Sequence, residues 1–215
     1  MIKAVLFDLD GTLLNTNDLI MKSFRSTFEY YFKDRVFSDE EIMDCIGPTL
    51  HQTGEKYYPQ DVEGFVSAYR SYYVKYHDDL THAFDGVEEM LRQLKALGLV
   101  LVIVTSKKRD MTIKGLNHTN LLDYFDLIVS SDDVKCPKPN PEPIEYVLKE
   151  LNFKAEEVMM VGDNSHDIEC AERAFVKSVG VGWALRGADY LRSFNPTYII
   201  GTAKELVEIV KREGV

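Results

Sequence analysis

The apolar positions of this 215-residue chain fall into short unbroken runs separated by longer stretches with helical spacing. The first run, Val5-Leu6-Phe7, ends in Asp8-Leu9-Asp10-Gly11, and later runs occupy residues 99–104, 127–129, 158–161, 176–181 and 198–200. Strands that are apolar on both faces and alternate with helices predict a parallel sheet covered on both sides, an α/β fold. The intervening helices are legible. Residues 87–97 carry Leu91, Leu94 and Leu97 and stop at Gly98, and residues 143–151 and 203–210 repeat the amphipathic pattern.

The alternation lapses over residues 17–82, which read as helix after helix. Ser38-Asp39-Glu40-Glu41 is a capping box, the helix it opens is expected to end at Gly47-Pro48, and residues 61–77 form a long amphipathic segment. The expected organisation is a catalytic core of residues 1–16 and 83–215 with a helical lobe, residues 17–82, inserted after the first strand. The lobe is rich in tyrosine. Phe65, Tyr69, Tyr72 and Tyr76 fall at helical spacing, so packing rather than a stacking site is expected there.

Composition narrows the function. With 25 Lys and Arg against 35 Asp and Glu, the net charge of −10 argues against nucleic acid or an anionic membrane as partner. A small anionic substrate would need a local cluster of cations or a metal ion. The longest apolar run, residues 97–104, is far too short to span a membrane, and the first residues lack the order of a signal peptide. Cys45, Cys136 and Cys170 have no metal-ligand spacing and are expected to be reduced thiols in a cytoplasmic protein.

Asp8 and Asp10 are two positions apart, so on an extended chain they point to the same side. Two carboxylates that close need a proton or a cation between them. Ligands of an open parallel sheet bind beyond the carboxyl ends of its strands, and other polar residues stand at those ends. Thr105 and Ser106 follow the second run, Asp163 and Asp167 follow residues 158–161, and Lys138 sits in a proline-stiffened loop, Cys136-Pro137-Lys138-Pro139-Asn140-Pro141. Each alone reads as a turn residue, a cap or a solvated charge. Together they suit phosphoryl transfer: Asp8 as nucleophile, Asp10 as acid and base, Ser106, backbone N–H groups and Lys138 on the equatorial oxygens. Mg²⁺, an oxygen-seeking ion, fits Asp8, the carbonyl of Asp10 and Asp163, with Asp167 as a further carboxylate. His166 is expected beside that loop as a solvated neighbour rather than a ligand.

Four motifs stand in order: Phe7-Asp8-Leu9-Asp10-Gly11-Thr12, Val104-Thr105-Ser106, Lys138-Pro139-Asn140-Pro141 and Gly162-Asp163-Asn164-Ser165-His166-Asp167. In these the chain resembles the haloacid-dehalogenase superfamily of phosphohydrolases. The resemblance implies a Rossmann-like core with an inserted helical cap, an aspartyl-phosphate on Asp8, acid and base work by Asp10, Mg²⁺ as cofactor, and phosphate contacts at Gly11, Thr105 or Ser106, and Lys138. Asn15-Thr16-Asn17, Ile46-Gly47-Pro48 and Lys114-Gly115-Leu116 are similar to stretches of a bacterial inorganic-pyrophosphatase branch. Pyrophosphate is all charge and needs cations and donors for its second phosphate. Lys107 and Arg109 after the second motif, and Gly47, His51 and Lys56 in the cap, are the expected contacts. A phosphoglycolate phosphatase or another small phosphomonoesterase is the alternative, followed by a phosphomutase. A phospho-receiver module fits less well, because Asp10 would shorten the life of its acyl-phosphate and the helical lobe offers a lid.

Overall fold

The computed structural model describes residues 1–214; residue 215, the end of the expected core segment, lies outside the described residues. In chain order the elements are β1 (Ala4–Phe7), β2 (Leu14–Asn15), α1 (Asn17–Tyr31), α2 (Asp39–Met43), α3 (Leu50–Tyr57), α4 (Val62–Tyr76), β3 (His82–Ala83), α5 (Val87–Ala96), β4 (Val100–Val104), α6 (Arg109–His118), β5 (Leu127–Val129), α7 (Glu142–Leu151), β6 (Val158–Gly162), α8 (Ser165–Arg173), β7 (Lys177–Val181), α9 (Gly187–Arg192), β8 (Tyr198–Ile200) and α10 (Ala203–Glu213).

Six strands form one parallel sheet in the order β5-β4-β1-β6-β7-β8. The two-residue period of the strands sorts their side chains into two cores. Val5, Phe7, Leu101, Ile103 and Met159 pack on one face with Leu91, Leu94, Leu206 and Val210. Ala4, Leu6, Val102, Val104 and Met160 pack on the other with Ile144, Val147 and Ala171. Apolar burial on both faces makes β1 the centre of the molecule. The chain adds β4 and β5 on one side of β1 and then returns to place β6 on the other, so a crevice opens beyond the carboxyl end of β1.

The helical segment leaves and re-enters the core side by side. β2 pairs antiparallel with β3, and the Phe84 N–H donates to the Leu13 carbonyl at 3.0 Å. Helices α1 to α4 close over their own apolar cluster, in which Phe28 stacks on Phe37 with ring centroids 4.1 Å apart. The predicted capping box is present: the Glu41 N–H donates to Ser38 Oγ at 3.2 Å and the Ser38 N–H to Glu41 Oε2 at 2.9 Å. The helix it opens stops at Met43, short of the expected Gly47-Pro48. A second box, Thr49 with Gln52, starts α3 just after that turn. The aromatic stripe of α4 is also one residue out of the expected phase. Phe65, Tyr69 and Tyr73 are buried at four-residue steps, while Tyr72 and Tyr76 are half-buried on the flank. Among the described residues no helix is long and apolar enough to cross a membrane.

Phe28 touches aromatic rings from every side of its cluster, so Phe28→Ala should leave a cavity and cost about 3–5 kcal/mol. Urea denaturation followed by circular dichroism measures this. A loss below about 1 kcal/mol would show that the cluster re-collapses around the missing ring.

Candidate active site

The Asp8 N–H donates to the Val161 carbonyl at 2.9 Å, which continues the β1–β6 pairing one residue beyond Phe7. Leu9 then turns into the core, leaving Asp8 and Asp10 half-buried at the crevice. The Leu9 carbonyl accepts from the N–H groups of Leu13 and Leu14, both at 3.0 Å, and closes the loop tightly. Gly11 is required there. Its φ is +82°, and a Cβ at this position would lie 2.3 Å from Asp163 Oδ2. Thr12 Oγ1 donates to Asp163 Oδ1 at 2.9 Å and so joins the first loop to the β6 end.

Three carboxylates converge at this point: Asp8, Asp163 and Asp167 offer oxygen atoms all within 4.8 Å of one another. Lys138 is 4% exposed and ties the group together. Its ammonium meets Asp8 Oδ1 at 3.0 Å and donates to Asp167 Oδ1 at 2.5 Å and to the Val104 carbonyl at 2.9 Å. Burial pushes Asp8 up to about 6, against the pull of Lys138 and with a further push from Asp167. Asp163 is raised well above the ordinary aspartate value, first by burial and then by Asp8 and Asp167. Burial opposes the charge of Lys138 too, but Asp167 and Asp8 outweigh it and hold its pKa above the ordinary lysine value. A hard divalent cation fits this set on three grounds. The donors are carboxylate oxygens, their charge is under-compensated by one ammonium, and the space beside Asp163 exists because residue 11 has no side chain.

The Asp10 carboxylate stands outside that cluster. It accepts from Thr16 Oγ1 at 2.7 Å, and the Lys107 ammonium donates to both its oxygens at 2.8 and 2.9 Å. The same ammonium reaches Tyr73 Oη of α4 at 2.5 Å. Thr105 is buried and its Oγ1 accepts from the Lys107 N–H at 3.2 Å, whereas Ser106 Oγ is buried without a hydrogen-bond partner among the described residues. Asp8, Asp10, Thr105, Ser106, Lys107, Asp163 and Gly47 line an inner chamber of about 100 Å³. It adjoins an outer cavity of about 690 Å³, lined by His51, Tyr69, Tyr73, Lys107 and Lys108 among others.

Not every expected contact gathers here. Arg109 is turned away: its guanidinium donates to Asp133 Oδ2 at 2.7 Å and to the Ile128 carbonyl at 2.8 Å, and it lines neither cavity. Lys56 lines a separate cleft with Asp44 and His166. His51 lines the outer cavity, but its ring is held between Glu55 and Glu63. His166 is more enclosed than expected, with Nδ1 buried against Gly47; a Cβ on that glycine, at φ +113°, would come within 2.5 Å of it. The sequence pattern assigns no contact to Thr12, Thr16, Tyr73 or Asn164, all of which help to form the site. Asn164 Nδ2 donates to the Ile46 carbonyl at 3.1 Å, a direct bond between the helical segment and the core. Thr12 and Asn164 stand in plain view inside the first and fourth motifs and Thr16 within Asn15-Thr16-Asn17, while the role of Tyr73 depends on a contact across the crevice.

The sequence profile of the haloacid dehalogenase-like hydrolases matches residues 5–181. A protein of Halalkalibacterium halodurans named pyrophosphatase PpaX is 45% identical over 209 residues, covering 97% of either chain. One of the same name from Listeria monocytogenes serotype 4b is 42% identical over 212 residues, 99% of this chain and 98% of its own. Among solved structures, one described as a predicted phosphatase from Clostridium acetobutylicum superposes with a TM-score of 0.86 at 29% identity, covering 99% of each chain. The six-stranded order, the carboxylate cluster beyond β1 and these matches agree, and the chain belongs to the haloacid dehalogenase-like hydrolases.

Proposed function

We propose that this hydrolase cleaves inorganic pyrophosphate to phosphate through an aspartyl-phosphate on Asp8. One observation carries the reading most: a small charged chamber has Asp8 at its inner end, with the Lys138 ammonium buried behind that carboxylate at 3.0 Å, and the paired Asp10 and Lys107 on its outer side. At roughly 30 Å³ per water, about 100 Å³ is room for a few waters or one phosphate-sized group, so a second phosphate must lie toward Lys107. The pyrophosphatase names of relatives above 40% identity support the same substrate. The outer cavity is larger than pyrophosphate needs, which keeps phosphoglycolate or another small phosphomonoester as the second reading.

In the proposed reaction an oxygen of Asp8 attacks phosphorus, and the bond to the bridging oxygen breaks with its electron pair leaving on the departing phosphate. Asp10 gives that oxygen a proton, then takes one from the water that attacks the phosphorus of the aspartyl-phosphate, releasing phosphate and restoring Asp8. Lys138, Ser106 Oγ and the neighbouring N–H groups bear the charge on the transferred group. Asp8, Asp163 and Asp167, with the Asp10 carbonyl, would hold Mg²⁺, which supplies positive charge where the substrate phosphate meets the nucleophile. Residues 17–82 serve as the cap, since Ile20, Phe24, Ile46 and Leu50 roof the chamber and exclude water. We place the protein in the cytoplasm: its cysteines are unpaired, and burial pushes the Cys45 and Cys170 thiols up to about 12, where they are unreactive.

Asp8→Asn should lower kcat on the order of a thousandfold or more while thermal melting stays intact, because the amide matches the shape but is a poor nucleophile. Substantial turnover by a folded Asp8→Asn protein would end the covalent mechanism. Asp10→Asn should lose about 10²- to 10⁴-fold on a phosphate ester with a poor leaving group and clearly less on an activated aryl phosphate. Equal losses would remove Asp10 as the general acid.

Acidity should tune the metal site. Asp8 is raised in the folded state from 3.8 to about 6, so its burial favours the native protein only where it is protonated. That contribution is present at low pH and is lost as pH rises through about 6. Mg²⁺ competes with the same proton, and with that of Asp163, so its dissociation constant should be at least about tenfold weaker at pH 5 than at pH 7. Titration calorimetry at the two pH values measures this, and a flat profile would show that neither Asp8 nor Asp163 is a ligand.

A further inference from the structure

Tyr73 is a buried phenol on the cap helix α4 that the mechanism above does not use. Its surroundings are mostly those of a packing residue: Tyr69 stacks beside it with ring centroids 5.9 Å apart, and the ring closes the aromatic cluster of the cap. The hydroxyl is different. It reaches out of the cluster to the core, where Oη lies 2.5 Å from Lys107 Nζ, and the ammonium sits 4.7 Å from the ring centroid.

Donor and acceptor roles are fixed by chemistry. An ammonium only donates, so Tyr73 Oη accepts from Lys107. The three protons of Lys107 are matched by three acceptors, the two oxygens of Asp10 and Tyr73 Oη. Among the described residues this is the only hydrogen bond at Tyr73 Oη, so the phenol proton is uncommitted, and the residue lines the outer cavity beside Lys107. Burial, and then Asp10, push the phenol well above its ordinary value, so it stays a donor. The lysine is held from its own side as well. Its N–H donates to Thr105 Oγ1 at 3.2 Å and its carbonyl accepts from the Ser131 N–H at 3.1 Å, so Tyr73 aims an ammonium whose backbone is already fixed.

We infer that Tyr73 and Lys107 together form the recognition site for the leaving phosphate, Tyr73 aiming the ammonium and donating its own proton to a phosphate oxygen. The inference rests on the pyrophosphate reading and adds the cap residue that distinguishes a diphosphate from a simple monoester. Arg70, Lys108 and Lys135 also line the outer cavity, but among the described residues Lys107 is the one cation that lines the inner chamber too; Lys108 faces Asp132 at 3.9 Å, and His51 stands between Glu55 and Glu63. Because one partner is on the cap and the other on the core, the site is complete only when the cap is seated. An incoming phosphate also competes with Asp10 for Lys107, which frees the Asp10 carboxylate for proton transfer as the substrate arrives.

The test compares Tyr73→Phe, Lys107→Met and the double variant on pyrophosphate and on p-nitrophenyl phosphate at saturating Mg²⁺. Tyr73→Phe keeps the ring in its cluster, and thermal melting verifies that the cap is intact. We expect kcat/KM for pyrophosphate to fall about tenfold or more, the effect of losing a hydrogen bond to a charged group, and at least fivefold further than for the aryl phosphate. In the Lys107→Met background the added Tyr73→Phe change should cost less than about twofold, because the two act as one site. Equal losses on both substrates, or losses that multiply in the double variant, overturn the inference and leave Tyr73 a packing residue. Absence of pyrophosphate turnover by the unaltered enzyme overturns the parent reading and this one with it, an outcome distinct from the first.

Discussion

One buried ammonium among three carboxylates is the constraint around which this molecule is arranged. Lys138 offsets one negative charge of Asp8, Asp163 and Asp167, which with all three ionised leaves two uncompensated at the foot of a narrow chamber. Unpaired buried charge is among the most expensive things a fold can hold. The polypeptide answers in part by raising the pKa of Asp8 and Asp163 and in part by hydrogen bonds from Thr12 and from the Asn164 N–H. With all three carboxylates ionised, the mismatch has the size of one divalent cation. Lys138 also donates to the Val104 carbonyl, so the charge that holds the carboxylates simultaneously fastens the third motif to the end of β4.

That arrangement needs a rigid base, and the sheet supplies it. β1 is buried on both faces and flanked by β4 and β6, so the ends of three adjacent strands deliver Asp8, Thr105 with Ser106, and Asp163 within reach of one another. Much of this is legible in the amino-acid pattern alone. Alternate residues of β1 do face different cores, Ala4 and Leu6 against Val5 and Phe7, which is what a doubly covered strand requires. The motifs can be placed because each follows an apolar run, and an apolar run of that length marks where a strand ends. Gly11 and Thr12 are visible as motif letters, though the reasons for them, a positive φ under Asp163 and a hydroxyl bonded to it, are three-dimensional.

What the sequence conceals are the side chains that cross between helical segment and core. Lys107 and Arg109 look equivalent in a basic run, yet one faces Asp10 and the other Asp133. The backbone decides: Lys108 is extended, with ψ near 151°, and α6 starts only at Arg109, so residues on either side of that junction diverge. Tyr72 and Tyr73 pose the same difficulty on α4. Steps of three and of four residues both suit an amphipathic helix, and only docking against α1 selects the phase that buries Tyr73. After α2 the chain continues in single turns to Ile46, where the turn through Gly47 lies against Asn164 and His166 of the core.

The helical segment and the core bring unlike materials to the chamber. The core contributes charge: Asp8, Asp10, Lys107 and Asp163. The cap contributes apolar cover: Ile20, Phe24, Leu50 and the ring of Tyr69. Apolar cover strengthens each electrostatic contact beneath it, because the same charges interact several times more strongly in a protein environment than in bulk water. It also explains why the aromatic cluster of the cap can be so large without being a ligand site. Its rings pack on one another, and at its edge Tyr73 meets Lys107 and presents a polar atom to the site.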